Sequence, residues 1–204
     1  MLDMLKITAA ALEARGYQTA VCENGAQACA YVLGHLRAHS CVGIGGSMTV
    51  RELGLAEAMR QAGHAVLWHW DMQPEARPAL FRRILGEANA YVCSVNALCE
   101  NGVIADIDGN GNRVAAVCCG PEQVFLLVGR NKLVQGGAAQ AIARIRREAC
   151  GKNARRLGAS TPCAQTDRCD AANCPSPCAI TLVLDRAPGG KTTHVVLIDE
   201  ELGF

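Results

Sequence analysis

A chain of 204 residues has room for one compact domain with a sizeable core, or one domain with a small appendage. Lysine plus arginine (20) nearly equals aspartate plus glutamate (19), and no basic face with interleaved aromatic residues is visible, which argues against a nucleic-acid partner. No apolar run approaches the roughly 18 residues of a membrane span, and the N-terminal segment lacks the pattern of a signal peptide. We therefore expect a soluble cytoplasmic protein without a membrane partner.

The first half of the chain alternates predicted helices with short apolar strands. Apolar residues at three- and four-residue intervals predict amphipathic helices in LDMLKITAAALEARG and AQACAYVLGHLRAH, with a short strand, YQTAVC, between them. Next come a buried strand (CVGIG), a helix (TVRELGLAEAMRQAG), a strand (HAVLWHW), a helix (PEARPALFRRILGEA) and a strand (AYVCSV). This alternation predicts crossover connections and a parallel sheet.

From Val103 onward the pattern changes. VIADID and RVAAVC flank GNGN, whose residues suit a tight hairpin, and QVFLLVG follows as a third apolar strand, which together predict an antiparallel addition. A helix follows in GAAQAIARIRREACGKNARRLG, with Arg144, Arg146 and Arg147 expected on its solvated side. The last residues predict two strands joined at residues 188–190.

The junction VGIGGSMTVRE places glycines and hydroxyls where a strand enters a helix. Thr49 and Glu52 have the spacing of a capping box, which predicts a helix start near Thr49. Free backbone amides and the helix dipole there favour a phosphate or carboxylate against Gly46, Ser47 and Met48. The alternative is a tight turn that binds nothing, because the spacing is neither the dinucleotide fingerprint nor a Walker loop.

Three segments carry motifs that are recognisable together: VGIGGSMTVRELGL, SVNALCENGVIADIDGNGNRVAAVCCGPEQVFLLVGRNKLV, and TPCAQTDRC with the cysteines after it. In this order they resemble the LUD family, which includes the lactate utilisation protein LutC and stand-alone YkgG-type proteins. The resemblance implies a single LUD-type domain over residues 1–204, with a cysteine-rich loop at residues 159–179.

The resemblance also implies an α/β fold similar to the NagB, ribose-5-phosphate isomerase and CoA-transferase group. This fold has a Rossmann-like, mainly parallel sheet with helices on both faces, an antiparallel hairpin addition and the cysteine-rich C-terminal loop. In that wider group the loop after an early strand receives the substrate's phosphate or carboxylate. The equivalent ligand-binding positions in this chain are Gly45, Gly46, Ser47 and Thr49.

The second segment carries further candidates. Ser94 and Asn96 follow a predicted strand at its carboxyl end, where open α/β sheets bind ligands. Glu100 is a candidate catalytic base or nucleophile, because CoA-transferases of similar fold use a glutamate; the alternative is a solvated residue in a turn.

Charged residues near the predicted hairpin are also candidates for the site. Asp106 and Asp108 lie on one side of a presumed strand, as a carboxylate pair or as caps of the hairpin. Asn112 and Arg113 fit the family motif GNR and are candidates for anion binding, since a guanidinium offers a fork of donors. Lys132 is the first candidate for a functional cation, with an ordinary surface lysine as the alternative.

The cysteines form two populations. Eight lie in or beside apolar elements, where cysteine behaves as a small hydrophobic residue: Cys22, Cys29, Cys41, Cys93, Cys99, Cys118, Cys119 and Cys150. The other four share the loop that lacks aliphatic residues: Cys163, Cys169, Cys174 and Cys178. Four thiolates can hold zinc or an iron–sulfur cluster, and the metal would supply folding energy that the loop lacks. Reduced thiols or an incidental disulfide are the alternative.

Three functional hypotheses follow. The first is a LUD-family protein of lactate or organic-acid utilisation that binds a small anionic metabolite at the glycine-rich loop and cooperates with redox partners. The second is an isomerase or transferase acting on a phosphorylated sugar or a CoA ester. The third is an accessory protein whose cysteine loop docks to an iron–sulfur partner. The sequence leaves open whether the protein is an enzyme.

Overall fold

The computed structural model describes residues 2–175 and 178–204. Two residues of the predicted cysteine-rich loop, Ser176 and Pro177, therefore lie outside the described residues. Within the described ranges the fold is α/β, as predicted, and is built on two sheets. None of the helices in these ranges is both long enough and apolar enough to cross a membrane.

The central sheet has six described strands, and every neighbouring pair is parallel. Parallel sheets need long crossover connections, which explains why helices separate these strands in the sequence. In spatial order the strands are β1 (Gln18–Cys22), β10 (Thr192–Ile198), β7 (Gln123–Gly129), β4 (Ala90–Cys93), β2 (Cys41–Ile44) and β3 (Ala65–Trp68).

Helices cover both faces of the central sheet, because its strands are apolar on both sides. Along β7, Leu126 and Val128 pack with one set of helices, while Phe125 and Leu127 pack with the other. The first set is α1 (Leu2–Glu13), α5 (Arg77–Glu87) and α6 (Asn112–Cys118). The second set is α2 (Gly25–His35), α3 (Met48–Glu52) and α4 (Leu55–Gln61).

The second sheet is mixed and has four described strands in the order β8 (Leu133–Val134), β5 (Ala97–Cys99), β6 (Ile104–Asp108) and β9 (Ile180–Leu184). β6 is antiparallel to β5 and to β9, whereas β8 is parallel to β5. Its buried apolar face packs against α7 (Ala138–Arg144), a π-helical turn (Ile145–Ala149), α8 (Cys150–Arg156) and α9 (Pro162–Thr166). The antiparallel addition predicted from the sequence is therefore confirmed.

The position of the predicted hairpin is wrong. The hairpin is formed by β5 and β6, while RVAAVC is the helix α6 and QVFLLVG is strand β7 of the central sheet. Asp108 explains the change, because its Oδ2 accepts hydrogen bonds from the amides of Arg113 (3.0 Å) and Val114 (3.2 Å). A carboxylate that accepts from free amides in this way stabilises a helix start.

The helix start predicted near Thr49 agrees with the structure to within one residue, but the cap and the continuity of the helix differ from the prediction. The helix begins at Met48 and is interrupted at Gly54, whose φ of +63° separates α3 from α4. The N-cap is Ser47, whose Oγ accepts from the amide of Val50 at 3.2 Å. Glu52 closes no capping box, because its carboxylate accepts from the amide of Gly203 at 2.7 Å instead.

Arg144 is buried rather than solvated, unlike its neighbours Arg146 and Arg147, which are exposed. Its guanidinium donates to the carbonyl of Asn96 at 2.7 Å and to the carbonyl of Asn131 at 2.9 Å. These bonds explain its burial, since a buried guanidinium needs acceptors. They also tie α7 to the chain segments that cross between the two sheets.

Candidate functional site

A cavity of about 660 Å³ lies where the two sheets meet. Segments that follow the carboxyl ends of β2, β3, β4 and β7 line one side of it. This is the edge at which open α/β sheets bind ligands. The end of β6, the start of α6 and the residues of α8 line the opposite side. The cavity therefore draws its wall from both sheets.

Lys132 lies in this wall with only 3% of its surface exposed. Its Nζ donates to Thr49 Oγ1 at 2.8 Å and to Ser94 Oγ at 2.7 Å. Both hydroxyls donate onward to backbone carbonyls, Thr49 to Leu202 at 3.2 Å and Ser94 to Leu127 at 2.5 Å. The two hydroxyls therefore act as acceptors toward the lysine.

The electrostatic environment of Lys132 disfavours its charged form. Burial lowers the pKa of Lys132 to about 7, and the nearby cations Arg144 and Arg113 add to this effect. Asp106 and Glu52 act in the opposite direction but do not compensate. Among the described residues no carboxylate forms an ion pair with the Lys132 ammonium.

Asp106 and Arg113 form a buried ion pair beside the lysine. Arg113 Nη2 lies 2.8 Å from Asp106 Oδ1, and it also donates to the carbonyl of Ile107 at 2.8 Å and to Asn96 Oδ1 at 3.3 Å. Burial raises the pKa of Asp106 to about 6, although Arg113 opposes this shift. The pair fixes the guanidinium at the cavity wall, so Arg113 is a positioned cation rather than a mobile one.

His69 and Trp70 lie at the end of the predicted strand HAVLWHW and are not among the site residues predicted from the sequence. Both line the cavity immediately after β3. Burial lowers the pKa of His69 to about 4, with Arg77 and Arg156 as further causes, so the imidazole is neutral at pH 7. The position of HAVLWHW as a parallel strand is the signal that points to them, because its carboxyl end lies at the ligand-binding edge.

Most of the ligand-binding residues predicted from the sequence meet in this cavity. Its lining includes Gly46, Ser47, Ser94, Asn96, Asn112, Arg113 and Lys132. Thr49 lies behind the lining and holds Lys132. Glu100 lies in the turn after β5, outside the lining, and its amide donates to the carbonyl of Val134 at 3.0 Å. Its proposed catalytic role stays a prediction.

Gly45 has a packing role in this structure. Its amide donates to the carbonyl of Val92 at 3.1 Å, so this amide is already paired within the sheet. A Cβ at this position would lie 2.6 Å from the Tyr91 hydroxyl and 3.1 Å from Cys93 Cβ. Glycine is therefore needed here for the close approach of the backbone to the Tyr91 hydroxyl.

The four predicted metal ligands lie in one region, because, in addition to burial, Cys163, Cys178 and Cys174 all act electrostatically on the Cys169 thiol and raise its pKa. Cys163 and Cys178 line the cavity, while Cys169 is exposed and Cys174 is half-buried. Cys150, which the sequence analysis assigned to the apolar population, has its Sγ 4.0 Å from that of Cys178. In residues 2–175 and 178–204, no group of three or more His, Cys, Asp or Glu side chains is arranged to hold a metal ion. The zinc or iron–sulfur site stays a prediction.

Comparison with known proteins agrees with this fold. A family model described as the LUD domain matches residues 5–198. The crystal structure of a DUF162 family protein from Deinococcus radiodurans is similar, with a TM-score of 0.57 and 13% sequence identity over 96% of each chain. At this identity the likeness shows the fold alone. The sequence matches no curated protein.

Proposed function

Because the chain belongs to the LUD domain family, a family of the lactate-utilisation type, we propose that its cavity binds a small organic acid, a 2-hydroxy or 2-oxo carboxylate. The observation that carries this proposal is Lys132, a buried amine in the cavity wall that forms no ion pair with a described carboxylate. Burial disfavours the charged form of Lys132 and lowers its pKa to about 7, and a bound carboxylate would offset the cost of protonating the amine.

Basic side chains also outnumber acidic ones in the rest of the described cavity lining. Among the described residues that line it, four are cationic and one, Asp108, is a carboxylate that is already used to cap α6. Such a wall attracts an anion and strengthens its binding, because the interior screens charge poorly. The cationic residues are Arg77, Arg113, Lys132 and Arg156.

The glycine-rich loop lines the cavity but does not form an anion site of its own. α3 has only five residues, and its Val50 amide is already capped by Ser47. Gly46 and Ser47 border the cavity, and a Cβ at Gly46 would lie 3.3 Å from the His69 ring. The proposed anion therefore binds to the side chains of the wall, with the loop shaping the entrance beside His69.

The cavity is large enough for more than a three-carbon acid. Cavities that bind small molecules have volumes of about 300–1,000 Å³, and this one has about 660 Å³. Trp70 and Phe81 supply aromatic surface on the side of β3. An organic acid with an apolar substituent fits this combination of charged and aromatic walls.

The direct test is calorimetric titration of the protein with lactate and with pyruvate, with sodium chloride as the ionic-strength control. We expect both acids to bind, and Lys132→Met to weaken binding by about tenfold or more, which corresponds to about 1.4 kcal/mol. Lys191→Met is the matched control, because Lys191 Nζ contacts the carbonyls of Ala116 and Val117 and does not line the cavity.

Two outcomes would contradict the proposal. The first is that neither acid binds at concentrations up to the millimolar range. The second is that both lysine variants bind as tightly as the unmodified chain, which would place the ligand elsewhere. The separate expectation of zinc or an iron–sulfur cluster is tested by elemental analysis and an absorption spectrum of anaerobically purified protein.

A further inference from the structure

We propose that Lys132 forms a covalent imine with the carbonyl carbon of a 2-oxo acid bound in this cavity. The inference rests on the proposed function, since it requires that an oxo acid occupy the site. It goes further by assigning a reaction and a nucleophile. The argument depends on the hydrogen bonds around the amine, on the burial of the amine and on the charges near it.

The two hydroxyls around Lys132 leave a specific position open on its nitrogen. A neutral amine has two N–H groups and one lone pair. Thr49 Oγ1 and Ser94 Oγ lie 2.8 and 2.7 Å from Nζ, and their own hydrogens are directed to the carbonyls of Leu202 and Leu127. The two N–H groups are therefore satisfied by these oxygens. The lone pair remains for a ligand in the cavity that Lys132 lines.

The hydroxyls also hold the amine in place. Ser94 lies in the connection between β4 and β5, Lys132 in the connection between β7 and β8, and Thr49 in α3, so three separate elements fix the nitrogen. Lys132 and Ser94 are each 3% exposed and Thr49 is fully buried. A nucleophile that is already oriented loses little conformational freedom when it reacts.

The charges around the amine favour the reactive, neutral form near neutral pH. The groups that face it are Arg144 from α7, Arg113 from α6, Asp106 from β6 and Glu52 from α3. Burial and the two arginines outweigh the two carboxylates, and the pKa of Lys132 falls to about 7. An ordinary lysine, with a pKa of about 10.4, is almost entirely protonated at pH 7 and is a poor nucleophile.

The reaction balances without a further reagent. The Lys132 lone pair forms a bond to the carbonyl carbon, and the carbonyl π electrons move to oxygen. The nitrogen's two protons then leave with that oxygen as water, which gives a neutral imine that takes one proton from solvent. The carboxylate of the oxo acid is drawn to the cationic wall, where Arg113 is positioned by Asp106. A 2-oxo acid carries both groups, the carbonyl and the carboxylate.

Reductive trapping tests the proposal. The full chain is incubated with pyruvate and sodium cyanoborohydride, which reduces an imine to a stable secondary amine, and is then mapped by peptide mass spectrometry. The chain has four lysines, Lys6, Lys132, Lys152 and Lys191, so the map identifies the site directly. We expect the mass of one pyruvate, minus water and plus two hydrogens, on the Lys132 peptide. Modification spread evenly over all four lysines would overturn the proposal.

The pH dependence and the variants supply independent readouts. The rate of trapping at Lys132 should rise about tenfold between pH 6 and pH 8, as expected for an amine with a pKa near 7. Lys132→Arg keeps a positive charge but cannot form the imine, and Lys191→Arg is the matched control that should trap normally. Since Lys132→Arg is a core change, its fold is checked by circular dichroism, while the peptide map of the unmodified chain needs no variant.

Failure of this inference is distinguishable from failure of the proposed function. Lactate has no carbonyl carbon at the position that reacts, so it reports binding alone. If lactate and pyruvate both bind by calorimetry but pyruvate is not trapped on Lys132, the imine is excluded and the proposed function stands. If neither acid binds, both proposals fail.

Discussion

His194 is a buried histidine in strand β10, and its surroundings favour the neutral ring. It is 5% exposed, its Nδ1 lies 3.0 Å from the Tyr31 hydroxyl, and its ring stacks on Phe125 with centroids 4.5 Å apart. Burial lowers the pKa of His194 to about 4, and His35 adds to this shift. An unfolded histidine has a pKa of about 6.5, so the two states bind protons differently between pH 4 and pH 6.5.

This difference predicts an acid-sensitive fold. As pH falls below 6.5 the unfolded chain takes up a proton at this position and the native chain does not, so the free energy of unfolding decreases until about pH 4. The slope contributed by His194 is at most about 1.4 kcal/mol per pH unit. Urea unfolding at several pH values should therefore give a flatter profile for His194→Gln than for the unmodified chain. If the pH dependence of the free energy of unfolding is the same in both proteins, His194 does not cause the acid sensitivity. His39→Asn, at an exposed position, is the control.

At the scale of elements, the backbone immediately after β2 depends on glycine where it passes the Tyr91 side chain. Tyr91 is 1% exposed, so it has no free space into which to move away from a new Cβ at Gly45. Gly45→Ala should therefore lower the free energy of unfolding by about 1–3 kcal/mol. Gly34→Ala is the matched comparison, because a Cβ there meets no atom within 4 Å and the residue lies in α2.

The comparison is informative because the two substitutions are chemically identical. Alanine stabilises an exposed helix position relative to glycine by about 0.5–1 kcal/mol, so Gly34→Ala should raise the free energy of unfolding. Urea titration of both variants measures whether the free energy of unfolding falls in Gly45→Ala and rises in Gly34→Ala. A neutral Gly45→Ala would mean that β2 and Tyr91 separate easily, contrary to the packing described above.

Some secondary-structure elements can be predicted from the local sequence alone, and others depend on contacts with distant residues. Strands such as QVFLLVG are continuous apolar runs, and the pattern predicts them because burial on both faces leaves little alternative. The cap of α3 is Ser47 and not the predicted Thr49, whose side chain instead contacts Lys132, 83 residues away in the chain. α6 was missed for a similar reason, since VAAVC suits either a strand or a helix and only the Asp108 cap decides.

At the scale of the whole molecule, the chain passes between the two sheets at adjacent points. Residues 94–96 connect β4 to β5, and residues 130–132 connect β7 to β8. β4 pairs with β7 in the central sheet and β5 pairs with β8 in the second sheet, so these connections lie side by side. Sequence patterns do not give strand order, which explains why Ser94 and Lys132 were predicted as separate candidates and not as a hydrogen-bonded pair.

This arrangement predicts that a ligand in the cavity stabilises both sheets together. The wall includes Ser47 and Ser94 after central strands, Asp108 at the end of β6 and Asn153 in α8. A ligand that binds only the native state stabilises it by about 2.7 kcal/mol at 100 times its Kd, which raises the Tm of a domain of this size by about 5–10 °C.

Hydrogen exchange with and without saturating pyruvate measures where that stabilisation appears. We expect slower exchange in the loop before α3, in the 94–96 connection, at the end of β6 and in α8, because amide opening in all four segments disturbs the same wall. At the same pyruvate concentration, the weaker binding of Lys132→Met should reduce the protection in all four segments, while Lys191→Met should leave it intact. Protection confined to the segments of the central sheet would show that the ligand contacts only that side, and that the second sheet opens independently of the site.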